Sequence, residues 1–76
     1  MDVRRRLGTN LRKLREDQGF SQESFADHSG LHRTYISGIE RGVRNPTVVI
    51  LDKIAKALKV SAGQLLDETR TVSRKS

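Results

Sequence analysis

Three groups of side chains in this chain have types and spacings that suggest chemistry. Asp27, His28 and Ser29 are adjacent. A Ser-His-Asp relay needs these groups to converge in space beside an oxyanion site, so neighbours along the chain predict no catalysis. His28 and His32 stand four apart, a spacing that on one helix could bind a metal. Gly30 interrupts that helix, no third ligand lies nearby and cysteine is absent, so no metal or other cofactor is expected. The third group is of another kind. Thr34, Ser37, Gly38 and Arg41 fall at i, i+3, i+4 and i+7, with Arg33 at their leading edge. On a helix they make one polar stripe opposite Ile36 and Ile39. A helix whose outer face is small except for long arginines can sink deeply into the major groove of a DNA duplex.

Gly38 stands out within that stripe. A glycine in mid-helix costs about 1 kcal/mol relative to alanine, so something should compensate. Close packing of helices is one explanation and close approach to DNA the other. Its place on the polar stripe favours the second.

The elements that must position these residues are well signposted. Over residues 3–18, Leu7, Leu11 and Leu14 recur at helical spacing, with Asp2 as a cap and Gly19 as the stop. Ser21 opens a second helix, Phe20 and Phe25 bracket its first turn as a hydrophobic staple, and Gly30 closes it. A third helix follows Leu31 and His32 and ends near Arg41 and Gly42, with Leu31 and Ile36 repeating the staple spacing. Asn45 and Pro46 force a turn, and Thr47 caps a fourth helix described by Val49, Leu51, Ile54, Ala55 and Leu58. Ser61 and Gln64 make a capping box for a short fifth helix carrying Leu65 and Leu66. The fold class is therefore all-α, a compact five-helix bundle. The second and third helices are joined so tightly around Gly30 that they must cross steeply, as in a helix-turn-helix. Residues 1–69 form the expected DNA-binding domain with a C-terminal dimerisation helix. Residues 70–76 read as a basic, frayed or disordered tail.

Composition agrees. With 76 residues there is room for one domain and one modest core, and without cysteine that core must hold by packing. Fifteen Lys and Arg against nine Asp and Glu leave a formal charge of +6, the footprint of a protein with a polyanionic partner. Charge alone admits nucleic acid or an acidic membrane. No apolar run approaches the roughly 20 residues of a membrane span and no signal-peptide pattern opens the chain, so a cytoplasmic location is expected. A fold this small leaves little room for an internal small-molecule pocket, and none is expected.

Ser21-Gln22-Glu23, Phe25-Ala26, Gly30-Leu31, Tyr35-Ile36-Ser37, Ile39-Glu40-Arg41-Gly42 and Arg44-Asn45-Pro46-Thr47 together resemble the Cro/C1-type (Xre) helix-turn-helix of phage repressors. The resemblance spans about residues 7–66, and residue types and spacings agree across three consecutive helices. The run from Arg33 to Arg41 is particularly similar to restriction-modification controller proteins, small homodimers that regulate their own operon. The resemblance implies that Arg33 and Thr34 contact base edges, Arg33 by a bidentate pair to guanine O6 and N7, with Ser37 on the same face. It implies that Gln22, at a positively polarised helix start, contacts phosphate. Tyr35, Arg41, Arg44 and Asn45 would join it along the DNA backbone. Arg15 and Glu40 match a partly buried ion pair of the family, so Glu40 reads as structural.

One departure concerns His32, which stands where a short capping side chain is usual. Either it contacts DNA, in which case protonation strengthens binding, or it is an exposed histidine with no role. Arg4, Arg5 and Arg6 crowd the first turn of a helix, and a solvated cluster and a long-range attraction to phosphate both fit. Lys53, Lys56 and Lys59 read as a solvated face. The run 48–51 is four consecutive apolar residues, and at about 100° per residue one core cannot cover them all, so Val48 or Ile50 should face outward. Leu65 and Leu66 raise the same difficulty. A two-fold interface from Val48, Ile50, Leu65 and Leu66 is the preferred answer, with a slightly apolar monomer surface as the alternative. The function expected is a homodimeric, sequence-specific regulator of transcription on a pseudo-palindromic duplex site. The alternative is an antitoxin-type module whose main task is neutralising a protein partner. No residue pattern supports an enzyme.

Overall fold

The computed structural model describes residues 2–68. The expected tail from Arg70 onward lies outside the described residues. Among those described are five helices, α1 (Val3–Asp17), α2 (Gln22–Ser29), α3 (Arg33–Glu40), α4 (Val48–Leu58) and α5 (Ala62–Leu66).

Local chemistry sets the ends of these helices. The Asp2 carboxylate accepts from the Arg4 amide at 2.8 Å and meets the Arg4 guanidinium at 3.2 Å. The Arg4 hydrogen bonds hold the Asp2 carboxyl below its ordinary range. Ser21 accepts from the Ser24 amide while the Ser24 hydroxyl accepts from the Ser21 amide, both at 2.9 Å, a reciprocal cap closed by a serine in place of the usual Glu or Gln. Thr47 and Ser61 cap α4 and α5 in the expected way. Gly30 stops α2 with a φ of 79°, a left-handed conformation that suits a residue without Cβ. At the end of α4 the same conformation falls on Lys59, at φ 60°, where the sequence carries no glycine to announce it.

The core is Leu7 and Leu11 of α1, Phe25 and Ala26 of α2, Ile36 and Ile39 of α3, Ile54, Ala55 and Leu58 of α4, and Leu65 of α5. Helix α1 packs against α3 and α5, α2 against α3 and α4, and α4 against α5. The staple forms, with the Phe20 and Phe25 rings edge-to-face at 5.5 Å. His28 stacks on Phe20 at 4.9 Å, and its Nε2 lies 3.0 Å from the Ala57 carbonyl oxygen of α4. Close approach of α1 to α3 depends on Gly8, because a Cβ there would stand 2.5 Å from the Ile39 carbonyl oxygen and 2.6 Å from that of Glu40. Asn10 Nδ2, on a buried side chain, donates to the carbonyls of Leu65 and Asp67 at 2.8 and 2.7 Å, and Arg6 Nε donates to that of Leu66 at 2.8 Å. These bonds satisfy orphan carbonyls at the end of α5 and tie it to α1.

Two expectations about the apolar surface are corrected here. Leu65 is completely buried in its own core, so it cannot serve an interface with a partner. Five-residue α5 packs on α1 and α4 with Leu65 buried and Leu66 half-buried. In the run 48–51 the residues facing outward are Val48 and Val49, at 81% and 75% exposure, while Ile50 and Leu51 are half-buried. Val49 therefore belongs to the surface and not to the inward face of α4. The first turn of α4 projects beyond the core, which begins at Ile54.

Candidate nucleic-acid interface

Between α2 and α3 the chain turns within three residues. The Gly30 and Leu31 amides both donate to the Ala26 carbonyl, at 2.9 and 3.1 Å, which closes α2 and sends the chain off at once in a new direction. His32 then begins α3 in extended conformation, without a side-chain hydrogen bond to the helix. With Ile36 and Ile39 fully buried, the opposite face of α3 is left to solvent. Arg33, Thr34 and Arg41 are exposed on it, as is His32 before it, and Ser37 and Tyr35 are half-buried. After α3, Arg44 and Asn45 are exposed as well. An open groove of about 450 Å³, lined by Gly30, Leu31, His32, Thr34, Tyr35 and Arg44, runs between the turn and this loop.

Electrostatically the segment is lopsided. From residue 30 to residue 47 the one carboxylate is Glu40, and it is committed elsewhere. Arg15 Nε donates to Glu40 Oε2 at 2.6 Å and Arg15 Nη2 to Oε1 at 3.0 Å, a bidentate pair with only 7% and 5% of the two side chains exposed. Arg15 Nη1 also donates to the Phe20 carbonyl at 2.7 Å, and Gln22 Nε2 to Glu40 Oε1 at 3.1 Å. Hydrogen bonding to Glu40 raises the Arg15 pKa above its ordinary value. One polar knot thus joins α1, the entry to α2, α2 itself and α3. Among the described residues Arg33, Arg41 and Arg44 have no carboxylate partner, in contrast to Arg4, Arg12, Lys13 and Lys56, which pair with Asp2, Glu16, Asp17 and Asp52. No group of three His, Cys, Asp or Glu able to hold a metal is found among the described residues.

Gly38 has a close neighbour within the protein itself. It is buried, and a Cβ built on it would overlap Arg44 Cγ. The space that its missing side chain leaves on the polar stripe is filled by the stem of Arg44, whose guanidinium carbon stands 5.4 Å from the centre of the Tyr35 ring.

The structure thus lines one groove with His32, Thr34, Tyr35 and Arg44, leaves Arg33, Arg41 and Asn45 exposed and Ser37 half-buried, and engages Gln22 with Glu40. Val48, Ile50 and Leu66 lie elsewhere, on α4 and α5. Sequence reasoning missed Gly8, Asn10, the Gln22–Glu40 bond and the Gly38–Arg44 contact. A mid-helix glycine was the available signal for Gly8, the same signal that drew attention to Gly38. The bonds of Asn10 and Gln22 join residues 55 and 18 positions away and leave no trace in local pattern.

Comparison with known proteins places this geometry among relatives. A profile described as helix-turn-helix matches residues 11–65. The control protein C.SmaI of Serratia marcescens is 47% identical over 66 residues, 87% of this chain and 79% of that protein. Among solved structures, the restriction-modification controller protein C.AhdI of Aeromonas hydrophila superposes with a TM-score of 0.78 at 44% identity, covering 82% of this chain and 94% of that one. The biofilm master regulator SinR, solved in complex with DNA, superposes with a TM-score of 0.76 at 34% identity, covering 80% and 98%.

Proposed function

The chain belongs to the helix-turn-helix family, in the Cro/C1-type form that its motifs resemble, and from that premise we propose that it is a sequence-specific regulator of transcription that binds double-stranded DNA as a homodimer. The observation that carries this reading is the segment 30–47, in which three arginines face solvent without a carboxylate while the one local carboxylate is neutralised by Arg15. Phosphate is the partner such a surface fits, and the small side chains of α3 allow the helix to enter a major groove.

In this reading Arg33, Thr34 and Ser37, with His32 at the helix start, read base edges. Tyr35, Arg41, Arg44 and Asn45 hold the backbone on either side. Gln22 joins them, since its amide has two N–H donors and Glu40 takes one. Two protomers place one α3 in each half of a pseudo-palindromic site, about 34 Å apart. Exposed Val48 is the centre of the proposed two-fold contact, with half-buried Ile50 and Leu66 at its side and Val49 added to it. The similarity to C.SmaI and C.AhdI favours a controller of a restriction-modification operon. The named relatives are control and regulatory proteins, and the antitoxin reading draws no support from them.

The test is a pair of substitutions titrated against two duplexes, one carrying a site selected from random sequence and one scrambled. Arg33→Ala is expected to lose affinity for the selected site by about 1–3 kcal/mol and leave the scrambled duplex nearly unaffected. Arg44→Ala is expected to weaken both alike. Equal losses on both duplexes for both variants would refute the division of labour, and absence of binding by the unaltered protein at low salt would refute the function.

A further inference from the structure

We propose that Gly38 is a positioning residue for DNA binding: the side chain it lacks is the seat of the Arg44 stem, and that seat holds the Arg44 guanidinium beside the outer face of α3. The inference rests on the reading of Arg44 as a backbone contact given above, and it assigns Gly38 a role other than direct approach to the duplex.

Three observations converge on it. First, the chain leaving α3 is brought back over Gly38, whose carbonyl accepts from the Val43 amide at 3.0 Å and the Arg44 amide at 3.2 Å. Second, the position of a Gly38 Cβ is already occupied by Arg44, with overlap at Cγ and with Nε and Cβ at 3.4 and 3.5 Å. Gly38 is consequently buried although Arg44 itself is exposed. Third, the guanidinium at the end of this seated stem lies over Tyr35, three residues earlier on the same helix. The overlapping atom belongs to the near part of the Arg44 side chain, whose root is pinned by the amide bond to Gly38. An alanine at 38 would therefore evict the whole stem.

The manner of holding suits a phosphate contact. A carboxylate would orient Arg44 but would also compete with DNA for its N–H donors. A backbone groove and an aromatic face restrict the stem while leaving those donors free. A side chain already restricted loses less freedom on binding, so the seat raises affinity without touching DNA.

The experiment compares Gly38→Ala, Arg44→Ala and the double variant, by duplex titration at fixed salt and by intrinsic fluorescence. Tyr35 is the chain's single tyrosine and tryptophan is absent, so the emission reports on the ring under Arg44 alone. Gly38→Ala is expected to remain folded, alanine being the better helix former. It should bind the selected duplex about tenfold more weakly, the scale of one charge-assisted contact. Its Tyr35 emission should move to that of Arg44→Ala. In the Arg44→Ala background the added Gly38→Ala should cost nothing more. Unchanged affinity of Gly38→Ala would overturn the proposal, and a further tenfold loss in the double variant would place Gly38 against the duplex itself. Should Gly38→Ala fail to fold, nuclear Overhauser contacts between the Gly38 Hα and Arg44 Hγ protons of the unaltered protein decide the matter, and their absence sinks the seat. If the unaltered protein binds no duplex, the proposed function falls, while emission and Overhauser contacts still judge the seat.

Discussion

Arg15 and Glu40 carry opposite charges through the interior of a domain with few other polar groups inside, and their geometry explains how. Every Glu40 oxygen and each arm of the Arg15 guanidinium has a hydrogen-bond partner. Such a pair adds little net stability compared with an apolar pair of the same volume, but removing one member strands the other. Arg15→Ala is expected to destabilise the fold by about 3–5 kcal/mol in denaturant unfolding, because Glu40 would keep only Gln22. Lys13→Ala breaks an ion pair between side chains 68% and 61% exposed and should cost less than about 0.5 kcal/mol. A similar cost for both would show that solvent reaches the Arg15 pair. At this scale the sequence was partly legible. The outward stripe of α3 follows from spacing alone, and the Arg15–Glu40 pair came from the resemblance. Gly38 stood out in the sequence as a mid-helix glycine on the polar stripe, but its contact with Arg44, six places later in a loop, left no local signal.

Each helix start carries its own signal, and α3 is the exception. Asp2, Ser21, Thr47 and Ser61 all accept a backbone N–H in the first turn, whereas His32 accepts none. His32→Ser supplies the missing acceptor without adding charge. It is expected to raise stability by about 0.5–1 kcal/mol and to weaken binding to the selected duplex if His32 reads a base. A variant that gains stability and binds as tightly as the original would reduce His32 to an exposed residue without a role. The boundaries of α1 to α5 were legible because capping and stop signals are local and fail only at the start of α3 and the end of α4. There the left-handed turn falls on Lys59, closed by the Val60 amide donating to the Ala55 carbonyl at 3.0 Å, without the glycine that usually announces it.

At the scale of the whole molecule, size bears on the proposed assembly. The domain measures 36 × 24 × 19 Å, so one copy spans about one turn of duplex along its longest axis. Two recognition helices held one turn apart require a second copy. Val48→Asp is expected to shift sedimentation from dimer to monomer and to lower affinity for a palindromic site far more than for a single half-site. Charging an unused surface residue would leave both unchanged. The exposed pair Val48 and Val49 replaces Leu65 in this account, because burial of Leu65 depends on how α5 settles between α1 and α4.

Periodicity, caps and charge, all of them short-range or additive properties, were enough to specify five helices, a tight turn at Gly30 and exposed arginines on the third. Tertiary structure alone decided which of several adjacent apolar side chains are covered, which glycine admits a neighbouring helix and which admits an arginine, and where Gln22 and Asn10 spend their hydrogen bonds. Those outcomes depend on contacts between residues far apart in the chain, and a linear pattern carries no distance across space.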